Sequence, residues 1–299
     1  MTEAPSRAPL PPALSTDEAA ELAARHGLRT LSERPPLRQY VADIWRRRSF
    51  VWTLSSAQSY AKNEDNHLGQ VWAVLNPLFL ILSYYAIFGL LLKTSRGVDN
   101  FVGFLAIGVV MFSFTSTVVT RGAKAITGNL SIVRALHFPR AILPISITLT
   151  ELIALLPALG LILALMLFTG ERPTWEWLLF PVAVVMQALA LSGLAMMAAR
   201  LVNASRDLGN LIPVVVRLLR YVSGVFFPVV HYAQNLPDAV GNVLIYQPFA
   251  LMLNIGRQSL LGDESIIARD WLMMAAWAIA LPVIGLLVFW RDEARYGRG

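Results

Sequence analysis

Cysteine is absent from this chain, and charged residues are scarce. The lack of cysteine excludes a disulfide framework, a thiolate metal site and a thiol nucleophile. Charged residues make up 15% of the 299 positions, whereas soluble domains average about 25%. Hydrophobic residues reach 56% and the mean hydropathy is +0.56, which indicates an integral membrane protein. The net charge of +6 would suit nucleic acid, but the distribution of the basic residues described below argues against such a partner.

Lysine is also rare, and its three positions exclude one kind of nucleotide site. A phosphate-binding G-x-x-x-x-G-K-[ST] loop needs a lysine directly after a glycine. Lys62, Lys93 and Lys124 instead follow alanine or leucine. The chain therefore cannot hydrolyse ATP through such a loop, and any energy for its work comes from another chain or from an ion gradient.

Residues that hold metals or transfer protons form no motif. The four histidines are scattered over segments outside the predicted spans: His26, His67, His137 and His231. None belongs to an H-E-x-x-H or paired-carboxylate pattern, so we predict no metal site, no cofactor and no catalytic residue in this chain. Glu151 is the one clear carboxylate in a predicted span, which is few for an ion-coupled carrier.

Long apolar runs dominate what is present. A spanning helix needs about 20 mostly apolar residues. Six runs qualify, at about 71–92, 101–120, 141–168, 177–199, 208–229 and 271–290. With six spans both termini lie on one side, which would carry 20 of the 25 basic residues against five on the other. The positive-inside rule makes the richer side cytoplasmic.

The residues before the first span divide into two parts. Residues 1–36 have no signal-peptide pattern and are predicted to be a disordered or weakly helical cytoplasmic tail, with Ser15 and Glu18 as a capping box and Gly27 as the stop. Residues 37–62 are amphipathic and too polar to span. We predict an interfacial helix there, with tryptophans at the lipid head groups and arginines toward anionic lipid: Trp45, Arg46, Arg47 and Trp52. The alternative is a soluble amphipathic helix packed on a partner.

Two arginines interrupt the fifth run. For a helix that starts at Leu208, Arg217 lies about 13 Å and Arg220 about 18 Å along the axis, inside a bilayer core about 30 Å thick. Residues three apart share a helix face, so the two positive charges repel and need an anion or water. In one interpretation both pair with Glu151 or reach the interface. In the other they line a channel and meet an anion.

Five stretches together resemble a known family. They are HLGQVWAVLNPLFLILSYYAIFG (67–89), IVRALHFPRAILP (132–144), RDLGNLIPVVVRLLRYVSGVFFPV (206–229), LIYQPFALMLNIGRQSLLG (244–262) and FWRDEARYG (289–297). In order and spacing they resemble the permease subunit of ABC-2 type polysaccharide exporters, which move lipid-linked O-antigen, teichoic acid or galactan out of the cytoplasm. The chain departs from that family at Ser223-Gly224, where members often carry Ser-Pro.

The resemblance implies a fold, an activity and partners. The fold is an all-α integral membrane protein with six spans in the bacterial inner membrane, multi-pass and with both termini cytoplasmic. By this resemblance the chain would form a homodimer and pair with two copies of an ATP-binding cassette ATPase, which would bind ATP and Mg. Residues 122–140 would be the segment that docks on the ATPase, through Lys124, Asn129, Arg134, Phe138 and Arg140. The alternative is an ordinary basic loop.

Further implications concern the substrate route. The segment 231–262 matches helices that close the outer end of the channel, including Tyr246, Pro248 and Phe249. Phosphates of a lipid-linked glycan would suit Arg217 and Arg220. Sugar rings stack on aromatic faces, and of the eight aromatics in or near the spans we favour Phe114 and Tyr221; packing is the alternative for most of the set: Tyr84, Tyr85, Phe88, Phe112, Phe114, Tyr221, Phe226 and Phe227.

Other functions remain as alternatives. A drug or lipid exporter of the same superfamily would share the architecture without the polysaccharide motifs. An integral membrane glycolipid transferase would need convergent carboxylates or histidines near one membrane face, and the sequence shows none. An ion-coupled carrier would need more buried acids than Glu151.

Overall fold

The computed structural model describes residues 15–26, 35–62, 69–92, 98–136, 138–293 and 296. Residues 1–35 and 36–299 form two compact units. The first contains helix α1 (Thr16–Arg25), and its predicted capping box is confirmed. The Glu18 amide donates to Ser15 Oγ over 3.3 Å, and the Ser15 amide donates to the Glu18 carboxylate over 2.9 Å. Gly27, the predicted stop, lies outside the described residues.

The described part of the second unit is helical and contains no strand. Its helices are α2 (Leu37–Arg46), α3 (Arg48–Ala61), α4 (Trp72–Tyr84), α5 (Phe101–Ala123), α6 (Leu130–Ala135), α7 (Ile142–Phe168), α8 (Phe180–Ala204), α9 (Leu208–Val222), α10 (Val229–Ala233), α11 (Asp238–Tyr246), α12 (Pro248–Leu260) and α13 (Ala268–Arg291). A π-helical stretch, Tyr85–Leu91, continues α4 without a break.

Five of these helices are individually long and apolar enough to cross a bilayer: α4 with its π-helical extension, α5, α7, α8 and α13. The pair α11 and α12 would add a sixth crossing if it were one broken span, and the two helices meet at an angle of 63°. The break falls at Gln247, directly before Pro248. The chain is therefore an all-α integral membrane protein with five or six candidate spans.

The predicted fifth span is shorter than its apolar run suggested. Helix α9 has 15 residues and ends at Val222, whereas the run predicted a helix to 229. At 1.5 Å per residue α9 is about 22 Å long, less than a bilayer core. Gly224 adopts a positive φ of 77°, which favours glycine, and Pro228 follows in extended conformation. The predicted boundary was wrong because these two residues turn the chain early.

Helix α5 is the centre of the bundle. In the most apolar stretch of this helix 72% of the residues are buried, the largest share of any candidate span. The helix packs against α7, α8, α9 and α12. Helices α8 and α13 cross most closely, at Gly193 and Gly285. A Cβ on Gly193 would lie 2.2 Å from the Leu281 carbonyl oxygen, so only glycine fits there. Small residues at a crossing let two membrane helices approach closely.

One end of the bundle gathers residues from both ends of the second unit, and we name it the basic end. The Tyr40 hydroxyl donates to the Glu293 carboxylate over 2.7 Å. The Arg140 amide donates to the same carboxylate over 2.9 Å, and the Arg200 side chain bonds Asp292 over 2.6 Å. Burial raises the pKa of the Glu293 carboxyl, and the bonds from Arg140 and Tyr40 oppose that shift.

The opposite end is closed by contacts between the other helix termini. The Asn100 side-chain amide caps the start of α5 and also donates to Glu171 over 2.9 Å. The Gly262 amide donates to Glu171 over 3.0 Å. Residues 100, 171 and 262 therefore meet there, so the chain returns from α12 to this end before α13 crosses back.

Candidate functional site

A cluster of aromatic rings lies where α9 ends against α4. Phe226 is at its centre and is buried. Its ring centroid lies 4.8 Å from Tyr84, 4.5 Å from Phe88 and 5.6 Å from Tyr221. Four of the eight aromatics singled out in the sequence thus form one cluster, and Tyr221 is its exposed member at 53%.

Arg220 lies beside these rings. Its Nη1 donates to the Tyr84 hydroxyl over 3.0 Å, and its guanidinium carbon lies 5.5 Å from the centroid of the Phe112 ring. Both contacts are with neutral groups, so the positive charge has no counter-charge among the residues that the structure describes. Cation–π attraction and one hydrogen bond orient the guanidinium without neutralising it.

Arg217 lies one turn earlier on α9 and is exposed. It makes no ion pair and no side-chain hydrogen bond with any residue that the structure describes. Leu218 and Tyr221 on the same helix are also exposed, at 62% and 53%. We name the surface of Arg217, Leu218 and Tyr221 the open face of α9. A charge that faces lipid at the bilayer centre costs roughly 2.5–3.5 kcal/mol, so in a membrane this face would suit protein or water better than lipid.

Glu151 holds two other cations. Its carboxylate lies 2.5 Å from Lys62 Nζ and 2.5 Å from Arg121 Nη1, and only 6% of its side chain is exposed. Glu151 therefore does not pair with Arg217 or Arg220 in this structure, and of that interpretation only the route to the interface remains. The carboxylate instead joins the end of α3 to the end of α5. Burial lowers the pKa of the Lys62 ammonium group, and Glu151 opposes that shift.

Phe114, the other favoured aromatic, is 3% exposed and lies in the core. It is one wall of a cavity of about 350 Å³ between α4, α5 and α7, with Lys62 and Glu151 among the lining residues. We name this space the Glu151 cavity. Phe114 and Glu151 are thus brought together, but they lie apart from Arg217 and Arg220, which are not among the residues that line the space.

The segment 122–140 connects α5 to α7 at the basic end. Lys124 and Arg134 are exposed. The Asn129 side-chain amide donates to the Ala125 carbonyl over 2.9 Å, and the Phe138 ring lies 6.1 Å from the ring of Phe50 on α3.

Arg140 is engaged within the chain. Its guanidinium donates to the Glu293 carbonyl, and its backbone amide donates to the Glu293 carboxylate. Of the five residues predicted to contact an ATPase, Lys124 and Arg134 offer exposed charge, whereas Arg140 secures the C-terminal end of α13.

The predicted interfacial helix is two helices, α2 and α3, that break at Arg47. Trp45 and Trp52 are 70% and 59% exposed, and Arg46 pairs with Asp43 on its own helix over 3.6 Å. The opposite face is buried, and Ser55 Oγ donates to the Ser146 carbonyl of α7 over 3.0 Å. An exposed tryptophan face above a face packed on the bundle fits a helix in the head-group region.

The segment 231–262, predicted to close the channel, reaches the opposite end through Gly262. The Trp277 indole donates to the Tyr246 carbonyl over 3.0 Å, and the Arg269 guanidinium lies 4.3 Å from the centroid of the Tyr246 ring. Pro248 opens α12 at its first turn, and Phe249 is partly buried.

Arg257 is the residue whose place the sequence did not reveal. It was counted with the outer basic residues, yet it is 2% exposed. Its guanidinium lies 3.4 Å from the centroid of the Phe104 ring and donates to the carbonyls of Gly224 over 2.8 Å and Val225 over 3.3 Å. The guanidinium thus joins α12 to the bend after α9. The one available signal was its position inside the apolar run LMLNIGRQSLL.

Among the described residues, no group of three or more histidines, aspartates or glutamates is placed to hold a metal ion.

Comparisons with known proteins identify the kind of molecule that carries this arrangement. Residues 50–255 match the family model described as ABC-2 type transporter. The chain is 28% identical over 250 residues to the O-antigen export system permease protein RfbA of Myxococcus xanthus, an alignment that covers 84% of this chain and 92% of that protein. Two proteins of the same name from Klebsiella pneumoniae are each 23% identical, over 230 and 234 residues. They align with 76% and 78% of this chain and with 86% and 88% of their own lengths.

The family match spans the chain from α3 to α12 and so includes the open face of α9, the Glu151 cavity and the segment 122–140. With the helical bundle, it shows that this multi-pass membrane protein belongs to the ABC-2 type transporter family.

Proposed function

We propose that this chain is the transmembrane subunit of an ATP-driven exporter that moves a lipid-linked polysaccharide from the cytoplasm across the bacterial inner membrane. The observation that carries the proposal is the alignment with a permease named for O-antigen export across 92% of that protein's length. The absence of a phosphate-binding loop of its own supports a separate ATPase as the source of energy, with ATP and Mg bound by that partner.

The open face of α9 supports the arrangement as a channel between two copies. Within the part of the chain that the structure describes, Arg217 is exposed and unpaired and Arg220 has only neutral partners. Charged residues in membrane segments almost always face a bundle interior or a water-filled space. A second copy opposite this face would enclose the arginines with Tyr221, so that guanidinium groups bind phosphate and the aromatic ring stacks on sugar.

The basic end supports the remaining assignments. In the proposed orientation it is cytoplasmic, as the excess of lysine and arginine favours. Two ATPase subunits would dock on the segment 122–140 of the two copies, where Lys124 and Arg134 are exposed. The segment 231–262 would close the outer end.

The first test is export by variants of the two arginines. We expect Arg217→Gln and Arg220→Gln to lower export by about tenfold or more each, because each loses a charge-assisted bond of roughly 1.5–3 kcal/mol to the phosphate. Arg217→Lys should retain part of the activity because the charge remains. Arg172→Gln, an exposed arginine at the opposite end, is the control with the same charge change. Normal export by the double variant at normal membrane levels would exclude the arginines as an anion site.

The second test is co-purification. The tagged chain should bring an ATPase with it, and the ATP hydrolysis of the complex should rise when the cell's own lipid-linked glycan is added. A chain that transports in sealed vesicles without nucleotide would contradict the proposal. A hydrolysis rate that responds to a hydrophobic drug and not to the glycan would favour the alternative, a drug exporter of the same family.

A further inference from the structure

The Glu151 cavity changes from polar to apolar along the helix axes. On α7, Glu151 lies nearer the basic end and Ala158 lies seven residues, or about 10 Å, farther along. On α5, Thr117 and Ser113 lie nearer the basic end, and Val110 lies beyond them. A cavity that is polar at one end and apolar at the other is complementary to an amphiphile that has a head group and a hydrocarbon chain.

The cations at the polar part of the cavity outnumber its carboxylate once Arg121, which pairs with Glu151 but does not line the cavity, is counted with Lys62. One carboxylate, Glu151, is shared by two cations, Lys62 and Arg121. Glu151 and Lys62 line the cavity, and no other titratable residue that the structure describes does so. Lysine has three N–H donors, and the described contacts use one of them, with Glu151. The partly buried ammonium group therefore has capacity for a second anionic acceptor.

The position of Lys62 in the fold indicates which anion can reach it. It follows α3, the helix whose exposed tryptophans fit the head-group region, and 23% of its side chain is exposed. The cavity wall opposite is formed by Trp72 and Asn76 at the start of α4. A phosphate at the level of lipid head groups can reach Lys62, while a chain attached to it enters the apolar part.

We propose that the Glu151 cavity binds the phosphate-bearing head group of a membrane lipid, with Lys62 as the cation that contacts the phosphate. The hydrocarbon chain lies along Leu80, Val110 and Ala158. Glu151 positions Lys62 and Arg121 and does not itself contact the lipid. The phosphate has two sources, a bilayer phospholipid or the lipid-linked substrate, and only the second rests on the proposed function.

The test measures lipid retained by the purified, delipidated full-length chain, by native mass spectrometry in mild detergent. The probes are phosphatidylglycerol, undecaprenyl phosphate and a diacylglycerol that has no phosphate. We expect either phosphatidylglycerol or undecaprenyl phosphate to be retained by the protein and the diacylglycerol, which has no phosphate, to be lost. Lys62→Gln should weaken retention about tenfold or more, and Lys62→Arg should restore it. Preference for undecaprenyl phosphate would identify a substrate site, and preference for phosphatidylglycerol a structural lipid.

Two matched pairs of variants separate binding from folding. Arg172→Gln removes a charge from an exposed arginine at the opposite end, outside the cavity, and it should leave retention unchanged. Ala154→Leu fills the cavity without changing charge and should abolish retention, whereas Gly160→Leu adds a larger side chain on α7 in open space and should not. Equal retention by the wild type, Lys62→Gln and Ala154→Leu overturns the proposal, as does equal binding of diacylglycerol. Because no nucleotide is present, these outcomes are independent of whether export occurs.

Discussion

At the scale of single residues, three arginines on two neighbouring elements have different surroundings. Arg257 is buried, stacks on Phe104 and donates to two carbonyls of the bend after α9. Arg220 has a tyrosine hydroxyl and an aromatic ring, and Arg217 has no partner among the described residues. The planar guanidinium suits the first environment because it donates in several directions within one plane and stacks on a ring. A guanidinium group thus stabilises the bend after α9 at Arg257 and presents a positive charge on the open face of α9 at Arg217.

The space around Arg257 gives a prediction for Gly108. A Cβ at Gly108 would lie 2.7 Å from Arg257 Nη2 and 2.8 Å from the Val225 carbonyl oxygen. We expect Gly108→Ala to displace the guanidinium or the bend and to destabilise the protein by about 1–3 kcal/mol. The measurement is the thermal unfolding midpoint in detergent.

Gly160→Ala is the control for that substitution. Both glycines lie inside long helices, so alanine improves helix propensity by up to about 1 kcal/mol at either position. A Cβ at Gly160 would meet no described atom within 4 Å apart from its own helix backbone and chain neighbours, so its variant should be as stable as the wild type or more so. Equal midpoints for the two variants would show that Arg257 and the bend have room to move.

At the scale of helices, the lengths and hydrophobicity of the apolar runs predicted which segments form long helices. The first apolar run was placed at 71–92, and the span observed is Trp72–Leu91. The end of α9 was misplaced because a continuous apolar run does not show which glycine takes a positive φ. The partners of Glu151 were not predictable either, because they are 89 and 30 residues away and belong to helices whose relative rotation is set by packing. The sequence pattern shows which residues of a helix are apolar. The packing of the helices determines which helix face contacts which neighbouring helix.

The attachment of α2 at the basic end gives the next prediction. The Tyr40 hydroxyl donates to Glu293 over 2.7 Å and accepts from the Ala141 amide over 3.1 Å. Tyr40→Phe should destabilise the protein by about 1–3 kcal/mol, because a buried carboxylate and a buried amide lose their shared partner. Tyr60→Phe on α3 removes the same hydroxyl from a side chain that is 69% exposed and should have no effect. Thermal unfolding of both variants decides the matter, and equal stability would mean that water replaces the hydroxyl at Glu293.

At the scale of the whole molecule, the burial of the helices is uneven. In the most apolar stretch of α5, 72% of the residues are buried, whereas in the corresponding stretch of α4 and its π-helical extension only 6% are. The open face of α9 is also uncovered. Lipid can cover the apolar surface of α4, but it cannot solvate Arg217 cheaply. The uneven burial therefore favours a second protein surface on the side of α4 and α9, and closed two-fold symmetry is the commonest way in which a chain supplies one to itself.

The absence of cysteine allows that arrangement to be tested by cross-linking, since each introduced thiol is unique. Leu82 on α4 and Leu218 on α9 are 52% and 62% exposed. We expect differently tagged copies carrying Leu82→Cys or Leu218→Cys, expressed together, to be joined by a short bis-maleimide into a product of twice 33.0 kDa. Copies that carry Val185→Cys on α8, which is 52% exposed, should stay single because that surface faces lipid. Cross-linking at Val185 with none between positions 82 and 218 would place the second copy on the other side of the bundle, and the open face of α9 would then not line a channel between two copies.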